Sequence, residues 1–174
     1  KVSLLNKHII LIGFMGSGKT TIGQQLATHY KIPFIDCDRT IESQENESIT
    51  TIFKTKGECY FREQETELLS NLSMAQTSII ATGGGIITNT QNQQLIKQLG
   101  GDVIYLHAEL PELMKRIENE TKTRPLLNNT HESTIKTLFN KRLPLYRRTA
   151  TLEINTSTLS IETVIQTIIT ELKQ

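Results

Sequence analysis

The sequence predicts an α/β domain, a parallel sheet covered by helices on both faces, and three observations carry that prediction. Short apolar runs alternate with helical patterns along the 174 residues, the arrangement that βαβ units produce. The first run, Ile9–Ile12, leads into Gly13-x-x-x-x-Gly18-Lys19-Thr20, a phosphate-binding loop pattern set between a strand and an amphipathic helix. The second and third runs end in acidic and glycine-rich residues, at the edge where an open parallel sheet binds its ligands.

Strands are expected at 8–12, 33–36, 78–82, 103–107 and 151–155. Helices are expected at about 18–30, 58–74, 90–99, 110–119, 132–147 and 160–173. The first helix carries Ile22, Leu26 and Tyr30 at helical spacing. Residues 38–60 are polar and helix-prone, with Ile41, Ile49, Ile52 and Phe53 as apolar positions, and read as a small helical insert after the second strand. With the head of the following helix the insert covers about 38–70. Pro111 and Ser160 stand near helix starts, and Pro144 is expected to interrupt its helix. Residues 119–131 are rich in turn formers and read as an excursion between two helices, in the manner of a kinase lid. The length predicts one domain over 1–174, and the lack of Trp leaves Ile and Leu to fill its core.

The loop chemistry follows from residue types. Gly13, Gly16 and Gly18 let the backbone turn tightly and present N–H groups, with that of Ser17, to one anion. The helix start at Lys19, Thr20 and Thr21 adds its positive end. Lys19 supplies a charge for the β- and γ-phosphates of ATP, and Thr20 a hydroxyl for Mg²⁺. The chain has three aspartates, and Asp102 precedes its strand, at the wrong edge. A metal-shell carboxylate is therefore expected from Asp36 or Asp38, which two-residue spacing on a strand end would aim alike. One would serve the metal and the other an acceptor hydroxyl, as a base. Gly83, Gly84 and Gly85 allow close approach of the backbone to a ligand. Of seven arginines, Arg62, Arg124 and Arg142 lie at a helix head or beside a proline, where a guanidinium can meet carboxylate or phosphate.

A net charge of +1 gives no reason to expect a nucleic-acid or membrane surface. No apolar run is long enough to span a bilayer, and the start lacks the features of a secretion signal. Cys37 and Cys59 have no metal-ligand spacing and are expected as reduced thiols of a cytoplasmic protein. The small size and near-neutral charge fit a monomer.

Taken together, Asp36-x-Asp38, Gly57-Glu58-x-x-Phe61-Arg62-x-x-Glu65, Gly83-Gly84-Gly85, Arg124-Pro-Leu-Leu127 and Arg142-x-Pro144-Leu-Tyr146 resemble the shikimate kinase family, in that family's order and close to its spacing. With the phosphate loop they span residues 9–148. The resemblance implies a three-layer P-loop NTPase fold like that of nucleoside monophosphate kinases, with a five-stranded sheet in the order 2-3-1-4-5. It implies transfer of the ATP γ-phosphate to the 3-hydroxyl of shikimate, on the route to chorismate and the aromatic amino acids. Arg62 and Arg142 would grip the shikimate carboxylate. Asp38 would bond the ring hydroxyls and act as base, and Gly84 and Gly85, with Gly83, would offer backbone contacts. Thr20 and Asp36 would serve Mg²⁺, and Lys19 and Arg124 the transferring phosphoryl group. The family commonly stacks an arginine on adenine seven residues before the Arg-Pro-Leu-Leu element. Position 117 here is Ile, so the neighbouring Arg116 takes that assignment. The loop at 155–158 lacks the proline some members carry. Two other readings compete: a kinase of similar fold acting on another hydroxy acid such as gluconate, and a nucleotide-binding switch.

Overall fold

A computed structural model describes residues 7–72, 75–99, 101–121 and 132–172, with the backbone alone at 120 and 121. Five parallel strands, β1 (Ile9–Ile12), β2 (Phe34–Asp36), β3 (Ile79–Ala81), β4 (Asp102–His107) and β5 (Leu152–Asn155), form one sheet in the order β2-β3-β1-β4-β5. This is the predicted class and strand order. Helices α1 (Lys19–Tyr30), α2 (Cys37–Glu45), α3 (Ile49–Thr55) and α4 (Glu58–Leu72) precede β3. A 3₁₀ turn (Ile86–Thr88), α5 (Thr90–Gln98), α6 (Leu110–Thr121), α7 (Glu132–Thr149) and α8 (Ile161–Leu172) complete the described chain.

Strand β1 is apolar throughout because both faces are covered. Ile9 and Leu11 point into one cluster with Ile22 and Leu26 of α1 and Val164 and Ile168 of α8. Ile10 and Ile12 point into the other, with Ile41, Ile52, Phe61, Leu69, Ile96, Leu113 and Phe139 from α2 to α7. Burying each such isoleucine contributes about 2 kcal/mol. The sheet is thus the middle of three layers. The insert between β2 and β3 comprises α2, α3 and most of α4. Ser48 caps α3 by accepting from Thr51 N at 3.1 Å, and Ser160 caps α8 by accepting from Thr163 N at 3.1 Å.

Two expectations are corrected. Pro144 does not interrupt α7, which runs unbroken from Glu132 to Thr149. Ile135, Phe139, Arg142, Tyr146 and Thr149 are buried at alternating four- and three-residue spacing, so packing on both sides of the proline holds the helix despite the lost backbone bond. Asp36 and Asp38 do not share a strand end. Asp36 is the last residue of β2 and the N-cap of α2, whereas Asp38 is the second residue of that helix. Asp102, for its part, opens β4 beside Ile9, at the edge remote from the phosphate loop.

Candidate active site

The phosphate loop joins β1 to α1 in left-handed steps, with φ of 82° at Gly16 and 93° at Gly18, which caps the helix. Lys19 folds back over the loop, donating to Gly13 O at 2.6 Å and Phe14 O at 3.2 Å. Ser17 is buried beneath it, and Thr21 is exposed in the first turn of α1. Thr20 donates through Oγ1 to Asp36 Oδ2 at 3.1 Å, while Asp36 Oδ1 accepts from Arg39 N at 3.2 Å. One carboxylate thereby caps α2 and meets the loop hydroxyl. Thr82, where many phosphate-loop proteins carry an acid, donates instead to Leu11 O at 2.8 Å and ties β3 to β1.

Asp38 turns the other way, toward the end of β3. A Cβ on Gly83 would lie 2.5 Å from Asp38 Oδ1 and 3.1 Å from Glu65 Oε2. A side chain there would overlap the Asp38 carboxylate and crowd that of Glu65, which favours glycine. A Cβ on Gly84 would lie 3.5 Å from Arg142 Nη1 and 3.6 Å from Met15 N, so this turn touches the phosphate loop on one side and α7 on the other. A Cβ on Gly85 would overlap the Arg62 guanidinium, whose Cζ stands 2.8 Å away. The structure therefore brings Lys19, Thr20, Asp36, Asp38, Arg62, Gly83, Gly84, Gly85 and Arg142 to one edge of the sheet. Of the lid expected at 119–131, residues 119–121 are instead the end of α6, and 122–131, Arg124 among them, lie outside the described residues.

The electrostatics suit an anion with hydroxyls. Arg142 is 8% exposed, stands over the Phe14 ring at 5.8 Å, and has no hydrogen-bond partner at Nε among the described residues. A buried guanidinium with an unmet donor is ready to donate to a carboxylate. Arg62 Nη1 donates to Glu65 Oε1 at 2.6 Å and Nη2 to Glu58 Oε1 at 3.3 Å. Burial works against its charge, but Glu65 and Glu58 outweigh it and hold the guanidinium protonated. Burial pushes the Asp38 carboxyl above its ordinary value, with the Lys19 charge opposing.

Glu65 is a residue the sequence reading quoted without a role. It is fully buried, and its Oε2 has no partner among the described residues. The signal was present: on α4 the buried stripe is Phe61, Glu65, Leu68, Leu69 and Leu72, one acid among apolar residues. Burial pushes its carboxyl up to about 7, with the Arg62 charge pulling down. The folded chain thus keeps this proton to about pH 7, while the unfolded chain loses it near 4.5. The stability it contributes is complete below the lower value and is lost as pH rises through the upper one. We expect Glu65→Gln to remove a fall of order 2–3 kcal/mol from the stability difference between pH 5 and 8, read from urea midpoints. An identical pH dependence in the variant contradicts this.

On the nucleotide side, Arg116 donates to Gly16 O at 3.2 Å and to Thr156 O at 3.1 Å. It also pairs with Glu112 at 3.3 Å. It joins α6, the phosphate loop and the segment after β5. Ile117 is buried in the core, and Arg116 is the arginine that meets the phosphate loop here among the described residues. Thr20 and Asp36 offer two hard oxygen ligands, and among the described residues no cluster of three or more His, Cys, Asp or Glu forms a metal cage. That set fits Mg²⁺, which keeps waters and takes its other oxygens from phosphates.

A phosphate loop facing a pocket of arginines and an aspartate, at the carboxyl edge of a 2-3-1-4-5 sheet, defines an ATP-dependent small-molecule kinase. The comparisons narrow that class. A family model described as shikimate kinase matches residues 15–173. A shikimate kinase of Enterococcus faecalis is 44% identical over 169 residues, covering 97% of this chain and 99% of the relative. One from Alkaliphilus oremlandii is 42% identical over 166 residues, covering 94% and 97%. The structure of Acinetobacter baumannii shikimate kinase in complex with shikimate superposes with a TM-score of 0.87 at 36% identity, covering 95% of this chain and 92% of that one. The chain belongs to the shikimate kinase family.

Proposed function

We propose that this protein transfers the γ-phosphate of ATP to the 3-hydroxyl of shikimate, giving shikimate 3-phosphate and ADP. The observation that carries the reading is the glycine turn Gly83–Gly85, which abuts Asp38, Arg62, Arg142 and the phosphate-loop backbone at once. An acceptor bound there has its hydroxyl end next to the nucleotide and its carboxylate between two guanidinium groups.

Arg62 and Arg142 bind the carboxylate through paired hydrogen bonds. Gly83, Gly84 and Gly85 supply backbone contacts where a side chain would intrude. Asp38 accepts a hydrogen bond from the 3-hydroxyl and takes its proton as the oxygen attacks Pγ. Its raised pKa makes it a better acceptor of that proton. The O3–Pγ bond forms, the bond from Pγ to the bridging oxygen breaks, and ADP carries away the electron pair. Lys19 exchanges the loop carbonyls for β- and γ-phosphate oxygens and stabilises the charge that develops. Gly13, Gly16, Ser17, Gly18 and Thr21 line the phosphate path, and Arg116 bounds the adenine side. Thr20 and Asp36 are the residues that would hold Mg²⁺, and the ion would supply neutralising charge to the phosphates. The Arg124-Pro-Leu-Leu element is the ground for adding Arg124 to the phosphoryl clamp and for treating 122–131 as a lid.

We read residues 1–174 as one kinase domain, with the segment about 38–70 binding the acceptor. The exposed free thiol of Cys59, remote in kind from the buried Cys37, fits the reducing cytoplasm. Among the described residues no helix is long and apolar enough to cross a membrane. A monomer is the expected state, on the small size and the net charge of +1.

Phosphorus NMR of the product tests the regiochemistry. The expected signal couples to the proton on C3. Coupling to another ring proton, or the absence of a phosphorylated acceptor, overturns the reading.

A further inference from the structure

The glycine turn of the proposed acceptor pocket is held from behind by one phenol. Tyr146 lies one helical turn after Arg142 on α7, so the two side chains leave the same face. Tyr146 is 1% exposed and stacks on Tyr105, with ring centroids 5.0 Å apart and planes 22° from parallel. Its hydroxyl donates to Gly84 O at 2.5 Å, across 62 residues of sequence. Burial pushes the phenol above its ordinary value, against the pull of the Arg142 charge, so the group remains a neutral donor at physiological pH.

Three consecutive glycines are the most permissive backbone the chain contains, and nothing in their own chemistry fixes one conformation. The bond from Tyr146 supplies that constraint. The peptide between Gly84 and Gly85 is trans, so the Gly84 carbonyl and the Gly85 N–H point in opposite directions within one plane. Pinning the carbonyl toward α7 turns the N–H away from α7. The Arg62 guanidinium approaches Gly85 closely, and Arg142 approaches Gly84, so the turn and both guanidinium groups are held as one unit.

We propose that Tyr146 is a positioning residue for the acceptor: through Gly84 it aims the Gly85 N–H and orders the anion-binding turn before substrate arrives. This rests on the functional reading above. The ring fills the core whether or not it bears a hydroxyl, so the hydroxyl is the part that acts on binding.

Tyr146→Phe keeps the ring and its stacking and removes one donor. Tyr105→Phe is the control, because Tyr105 spends its hydroxyl on His107 Nδ1 at 2.9 Å and not on the turn. Steady-state kinetics of both variants, with melting temperatures, test the proposal. Tyr146→Phe is expected to raise the shikimate KM about tenfold, the effect of one well-made buried hydrogen bond, with the ATP KM changed by less than about twofold. Tyr105→Phe is expected to leave the shikimate KM unaltered. A Tyr146→Phe chain with an unchanged shikimate KM overturns the proposal. So does one that fails to fold or raises both KM values together, since the hydroxyl would then be a general structural element. A wild-type protein without shikimate-dependent turnover overturns the functional reading instead, and this inference with it.

Discussion

Asp38→Asn is expected to lower kcat by about 10²–10⁴-fold, the usual contribution of a positioned proton acceptor, while the ATP KM changes little. The amide is the same size and reaches the same place beside Gly83, so the pocket keeps its shape. What is lost is the ability to take the hydroxyl proton. Burial raises the Asp38 carboxyl, with the ammonium of Lys19 partly offsetting that, and a raised carboxylate is the more basic proton acceptor. Removing the negative charge also leaves Lys19 with one fewer counter-charge, a small perturbation of the nucleotide side. Turnover at the wild-type rate in Asp38→Asn, measured with both substrates saturating, contradicts the assignment of Asp38 as the acceptor's base.

Arg62→Ala is expected to raise the shikimate KM roughly 100-fold with the ATP KM nearly unchanged, because two charge-assisted hydrogen bonds to a carboxylate are lost. The variant should fold. Burial pushes the carboxyl of its buried partner, Glu65, up to about 7 even with the Arg62 charge pulling it down. Without the guanidinium that value rises further, and a protonated carboxyl replaces what would otherwise be an unpaired buried charge. A selective loss of ATP binding would put Arg62 on the wrong side of the pocket.

The sheet was legible because buried parallel strands are apolar on both faces, and Ile9–Ile12 and Ile79–Ala81 read that way without ambiguity. The phosphate loop was legible because its backbone demands glycine at fixed offsets, and Gly16 and Gly18 adopt the left-handed conformation that requires it. The sense of the Asp36 and Asp38 pair was not. A strand that ends directly in a helix looks the same in sequence as a strand one turn longer, and only the Asp36 cap on Arg39 N marks the change. The proline in α7 was misread because local rules break a helix there, whereas a continuous buried stripe from Ile135 to Thr149 holds it. Glu65 and Tyr146 were visible as residue types but not as parts of the pocket. Their meaning lies in contacts with Gly83 and Gly84 that no local pattern encodes.

The most direct test of the whole account is ADP release by the purified protein with Mg²⁺ and ATP, with shikimate, with gluconate, and with neither. The account predicts a large rate with shikimate and only slow background hydrolysis in the other two. Equal rates in all three, from a folded chain that still binds ATP, would leave the phosphate loop standing and contradict the acceptor pocket built from Asp38, Arg62 and Arg142.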